Sequence, residues 1–182
     1  MISTKKAGLP GLFLWCFALA GCMEPSTSDF QKELAAQPSA TAVLQAHCDR
    51  LRPGTTMQAI VLPVEREDTI SPDIRSILAV APDEPIGVRH VRLQCGTLLL
   101  SEAWNWYVPS RLTPEMVHIL TTTHIPFGRA VAALHFRREA LQTSSTNLPS
   151  GTILRNRALL RRASDDAPIS LVEENYQEAV LK

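Results

Sequence analysis

The sequence predicts an α+β domain: a single antiparallel β-sheet of about six strands with helices on one face. Three observations lead there. Two pairs of strand-like runs are each joined by a short turn, around Gly96 and around Asp165-Asp166-Ala167-Pro168. Stretches with apolar residues at helical spacing precede or separate them. The chain has 182 residues, 45% hydrophobic and 20% charged, which suits one globular core.

Residues 39–51 begin with cap-type residues after Pro38, and Val43, Leu44, His47 and Leu51 recur at helical spacing. Pro53-Gly54 stops that helix. Residues 56–64 are β-branched and apolar, a strand with Pro63 at an edge or end. Residues 71–80 form a short helix that starts at Ser71-Pro72 and gathers Ile74, Ile77 and Leu78 on one side. Residues 86–94 and 97–108 are strands turning at Gly96. Thr113 caps the next helix: Pro114 sits at its first position, Glu115 in its first turn, and Met116, Ile119 and Leu120 on its apolar face. Residues 130–141 read as a strand with a helical first turn, and residues 152–162 and 169–181 as a second hairpin.

The N-terminus is an address. Lys5 and Lys6 precede an uncharged apolar run over residues 7–20, too short to span a bilayer and suited to an export signal. Leu19-Ala20-Gly21-Cys22 resembles the bacterial lipobox, in which the cysteine thiol takes a lipid. The expected organisation is a lipoprotein signal at 1–22, a flexible tether at 23–40 rich in Ser, Pro, Gln and Ala, and a domain at 41–182. That places the protein in the cell envelope, membrane-anchored at Cys22 and facing the periplasm. Translation from Met23 would instead leave it cytoplasmic.

Without Lys5 and Lys6 the chain keeps 16 basic against 18 acidic side chains, so net charge gives it no claim on nucleic acid. Cys48 and Cys95 remain as thiols after the signal. Two buried free thiols are the simpler reading, and an oxidising compartment would allow them to pair. The five histidines do not recur at metal-ligand spacing, so no metal is expected. There is no glycine-rich phosphate loop, and no cofactor is expected. Arg155, Arg157, Arg161 and Arg162 have mixed parity and read as a solvated face. Trp104 and Trp106 share one face of their strand, for core packing or for ligand stacking.

Strand alternation puts Arg89 on one face with Val91, Leu93 and Cys95. A buried guanidinium needs an anion or several acceptors, from the protein or from a ligand. In the last strand Glu173 shares parity with Ile169 and Leu171, and Glu174 with Val172 and Tyr176. Whichever face is inward, one carboxylate lies among apolar residues, where it could act as a general acid or a hydrogen-bond partner.

The order Arg89, Leu93, Gly96, then Val108-Pro109, an amphipathic helix, Pro126-Phe127-Gly128-Arg129, and Pro168 to Glu173 resembles the chorismate lyase family over residues 42–181. The resemblance implies a six-stranded antiparallel sheet with helices on one face and a small buried ligand site. It implies cofactor-free conversion of chorismate to 4-hydroxybenzoate and pyruvate. It implies that Arg89 binds the product carboxylate, that the Phe127 backbone meets the same group with Gly128 beside it, and that Glu173 contacts the hydroxyl at the far end of the ring. On this basis Arg89 and Glu173 are the catalytic candidates, and Arg89, Phe127, Gly128 and Glu173 the ligand-binding ones. One departure is Asn105, where the family commonly has a second basic residue. The envelope address is another, since chorismate is cytosolic. The alternative is therefore a non-catalytic, lipid-anchored module, expected to be monomeric, that binds a small aromatic carboxylate in the same pocket.

Overall fold

The structure, a computed structural model, describes residues 26–64 and 70–182. The expected signal at 1–22, its Cys22 and the first residues of the expected tether lie outside the described residues.

The described part of the tether segment is not a tether. Thr27–Ala36 form helix α1, capped by Ser26, whose Oγ accepts from the Asp29 amide. Phe30 and Leu34, one turn apart, are buried in the main core. Each contributes roughly 2 kcal/mol by leaving water. Phe30 meets the rings of His47 and Tyr176 edge-on, at centroid distances of 5.2 and 5.1 Å. His47 Nε2 reaches Glu33 at 2.6 Å, joining α1 to the next helix.

That helix, α2 (Ala40–Leu51), starts at the Ser39 cap. Strand β1 (Gln58–Leu62) follows, then α3 (Pro72–Leu78), capped by Ser71 with Pro72 in its first turn. β2 (Gly87–Cys95) and β3 (Leu98–Tyr107) form the expected hairpin, with Gly96 at φ 60°. That left-handed turn position is cheap only without a Cβ. α4 (Pro114–Thr122) is capped by Thr113, whose side chain accepts from the Met116 amide. The segment expected from residue 130 as a strand with a helical first turn does open helically, with a short helix, α5 (Phe127–Ala130), and a 3-10 turn. Strand β4 begins only at Arg137 and runs to Ser144. β5 (Thr152–Arg161) and β6 (Pro168–Gln177) complete the sheet, and a 3-10 turn takes over from Glu178.

The six strands form one antiparallel sheet in the order β1-β2-β3-β6-β5-β4. It is two three-stranded meanders joined where β3 pairs with β6. In that pairing Ala103 lies opposite Glu174, and Trp104 opposite Glu173. One face carries α1 and α2 over Val91, Leu93, Ala103, Leu154 and Tyr176. Further along the same face, α4 and α5 pack over Tyr107, Leu160 and Val172. α3 packs on the opposite face, against Trp106, Leu159 and Leu171. Trp104 and Trp106 stack there at 5.9 Å, with His90 stacked on Trp104 at 3.9 Å, so the tryptophan pair belongs to the face away from α1 and α2.

Cys48 of α2 and Cys95 at the end of β2 are joined in a disulfide, both fully buried. The spacing alone left that pairing open. Helix packing decides it, by laying the last turn of α2 against the end of the first hairpin.

Candidate functional site

A small buried cavity lies between the sheet and the helices above it. Its floor is apolar: Val91 and Leu93 from β2, Ala103 from β3, Leu160 from β5 and Val172 from β6. Its polar groups are Asn105, Arg138 and Glu174. Residues 38–41, at the start of α2, cover it together with Phe127, Gly128 and Phe136.

Gly128 makes this cover close-packed. A Cβ there would lie 2.9 Å from both Ser39 Oγ and Thr41 Oγ1, and 3.3 Å from Thr41 Cβ. The enclosed volume is about 30 Å³, room for one or two waters. Outside the cover, a groove of about 560 Å³ runs between α2 and α5. Cavity and groove share Pro38, Ser39, Thr41, Gly128 and Phe136 as their dividing wall.

The polar end of the cavity is a buried network. Arg138 Nη2 donates to Glu174 Oε2, and the Tyr176 hydroxyl donates to the same oxygen at 2.8 Å. Glu174 is 7% exposed, and the Arg138 side chain 10%. Such a pair holds only because each charge has its partner. Burial works against the Arg138 charge, but the Glu174 carboxylate outweighs it and holds the guanidinium above its ordinary value. Burial, then the adjacent Glu174 charge, pushes the Tyr176 phenol well above its ordinary value.

The predicted residues divide. Phe127 and Gly128 line the cavity. Glu173 does not: it stands on the opposite face, its side chain 32% exposed and 3.9 Å from Arg155 Nε. The inward carboxylate is Glu174. Both faces of β6 are covered by apolar residues, so apolar neighbours could not separate the two glutamates; strand register does.

Arg89 is buried at 3% but is not among the side chains lining the cavity. Nη1 donates to the Ile125 carbonyl at 2.7 Å and Nη2 to the Thr123 carbonyl at 2.8 Å. Thr123 is the C-cap of α4, so Arg89 supplies donors and positive charge where a helix leaves carbonyls unpaired. Burial draws the guanidinium below its ordinary value, against a smaller pull from Tyr107. Its two terminal nitrogens meet backbone acceptors rather than a carboxylate, and its Nε is buried without a partner. Arg89 thus braces the loop that leads into Phe127.

Sequence reasoning missed Arg138. A signal existed: Arg137 and Arg138 are adjacent in a strand, so one of the two had to point inward. Among the described residues no cluster of His, Cys, Asp or Glu could hold a metal, and no helix is long and apolar enough to cross a membrane.

No family model matches the chain. The uncharacterized protein y4mC of Sinorhizobium fredii (strain NBRC 101917 / NGR234) is 38% identical to it over 173 residues, covering 81% of this chain and 72% of y4mC. The chain belongs to the y4mC family. Solved structures place the family's fold. The effector domain of PhnF from Mycobacterium smegmatis superposes with a TM-score of 0.56 at 12% identity, covering 78% of this chain and 89% of that domain. The possible transcriptional regulator YydK from Bacillus subtilis gives 0.50 at 14% identity, covering 70% of this chain. The chain spans 61% of the length of YydK. At such identities the likeness establishes the fold alone. That fold, a single antiparallel six-stranded sheet with helices, is the chorismate lyase-like one, and the y4mC family chain adopts it.

Proposed function

We propose that this domain is a small-molecule binding module, without lyase turnover, whose ligand is a hydroxylated aromatic carboxylate. The observation that carries the reading is the arrangement at Glu174. Arg138 and Tyr176 both donate to Oε2, which leaves Oε1 as the acceptor for a ligand hydroxyl. The ring would lie over Val91, Leu93, Ala103 and Val172, and the ligand carboxylate would lie toward Asn105 and the Phe127-Gly128 backbone. The role that the resemblance gave Glu173 thus passes to Glu174. The arginine of the cavity wall, Arg138, is already neutralised by Glu174, and Arg89 is held by carbonyls. Chorismate carries two carboxylates, and among the described residues lining this cavity no cation is free for either; that favours binding over catalysis.

A benzene ring does not fit in about 30 Å³, so binding must lift residues 38–41 away from Gly128. Ligand entry is thereby coupled to the junction of α1 and α2. The protein is also proposed to act outside the cytoplasm, anchored through Cys22. The buried Cys48–Cys95 disulfide supports this, because such bonds persist in oxidising compartments.

Two measurements test the proposal. Titration calorimetry with 4-hydroxybenzoate should give saturable binding that Glu174→Gln abolishes and Glu173→Gln leaves intact. Incubation with chorismate should give no 4-hydroxybenzoate. Product formation would overturn the non-catalytic reading, and absence of binding would overturn the ligand class.

A further inference from the structure

When residues 38–41 lift away from Gly128, the inner cavity becomes continuous with the groove of about 560 Å³ between α2 and α5, because the two spaces share that wall. In the pose proposed above, the ring hydroxyl meets Glu174 and the acyl end lies at Phe127-Gly128. Gly128 lines both spaces, so a substituent on the acyl carbon points into the groove.

Charge distinguishes the two spaces. Arg138 is the cation among the described residues lining the inner cavity, and Glu174 engages it. A carboxylate at the acyl position would be buried beside no free counter-charge, which is unfavourable. The groove differs. Arg129, the residue after Gly128, is exposed and lines it. Its Nη2 donates to Gln45 Oε1 at 3.1 Å, a neutral acceptor, and among the described residues no carboxylate pairs with it. Gln45 Oε1 already accepts from the Met57 amide at 2.9 Å, so Arg129 holds the longer share of that oxygen. Most of the guanidinium donors stay available. Asp49 also lines the groove, but it lies about two turns along α2 from Thr41, and Gln45 Nε2 donates to it at 2.8 Å.

We infer that the groove holds the anionic tail of the ligand. The ligand class is a hydroxyaroyl conjugate, an amide or ester whose ring enters the inner cavity and whose terminal carboxylate pairs with Arg129. The neutral acyl linkage then occupies the position without a free cation. The charge sits where a guanidinium can meet it and water still reaches it. The inference rests on the inner-cavity reading and narrows its ligand class.

The test is titration calorimetry on the full chain with 4-hydroxybenzoate, N-methyl-4-hydroxybenzamide and N-(4-hydroxybenzoyl)glycine. The last two share ring and amide and differ by the carboxylate. In the parent, the glycine conjugate should bind about fivefold tighter than the methylamide, and raising salt should shrink that preference. In Arg129→Met the two should bind alike, and Arg129→Lys should restore part of the preference. Arg129 is exposed, so these substitutions spare the core. No preference in the parent, or a preference that survives Arg129→Met, overturns the inference; if 4-hydroxybenzoate still binds, the inner-cavity reading stands without it. If none of the three probes binds, both fall.

Discussion

Arg138 and Glu174 form the buried ion pair of this domain, two strands apart across the sheet, with the Tyr176 hydroxyl on the same carboxylate oxygen. Breaking it from one side leaves a charge buried without its partner. Glu174→Gln should therefore destabilise the fold by about 3 kcal/mol, whereas Glu173→Gln on the other face should change stability by less than about 0.5 kcal/mol. Urea unfolding of both variants checks the assignment. Equal effects would mean that the register of β6 is wrong.

Arg89 is assigned to bracing rather than to ligand contact. Arg89→Met removes the donors to Thr123 and Ile125 and should cost about 3 kcal/mol, from two carbonyls left unpaired. Hydrogen exchange should accelerate over residues 123–128. A variant that kept its stability and lost only ligand affinity would return Arg89 to the binding site.

The two tyrosines of the chain, Tyr107 and Tyr176, are both buried. Both phenols are held above the ordinary 10.0: Tyr107 by burial against a smaller pull from Arg89, Tyr176 by burial and then the Glu174 charge. A raised folded value leaves stability intact below the unfolded value and removes it as pH climbs past that value toward the folded one. The urea midpoint should hold steady below pH 10 and fall as pH rises above it. Phenolate absorbance at 295 nm should appear only as the protein unfolds. Phenolate appearing near pH 10 in a still-folded protein would contradict this burial.

The disulfide closes a loop with a sequence separation of 47 residues. The chain-entropy relation puts its contribution at about 4 kcal/mol. The double variant Cys48→Ala/Cys95→Ala should show that loss in urea unfolding, with a steeper slope because the uncrosslinked unfolded chain exposes more surface. A loss near zero would mean that the native helix packing already supplies the constraint.

Capping chemistry made much of this fold legible. Ser39, Ser71 and Thr113 were each expected to start a helix, and each accepts a hydrogen bond from the amide three residues on. Gly96 marked the first hairpin for the same kind of reason, a local conformational demand. α1 was missed although Ser26 and the Phe30–Leu34 spacing were present, because Ser, Pro, Gln and Ala dominate the surrounding composition. The site was less legible because its residues are chosen by register rather than by local pattern. Parity offered both Glu173 and Glu174, and α3 on the second face made both positions look equally apolar. Arg89 announced a buried charge correctly, but the sequence carried no sign that backbone carbonyls from the end of α4 would satisfy it.

The Cys48–Cys95 bond also divides the molecule covalently. β1, α3 and β2 lie inside the ring it closes, and β3 through β6 lie beyond it. A single peptide cleavage between residues 48 and 95 leaves both fragments tethered, whereas one after Cys95 yields two separate chains. Under proteolysis, the half that contributes Val91 and Leu93 to the cavity can survive a cut within the ring. The half that contributes Arg138 and Glu174 has only its packing to keep it in place.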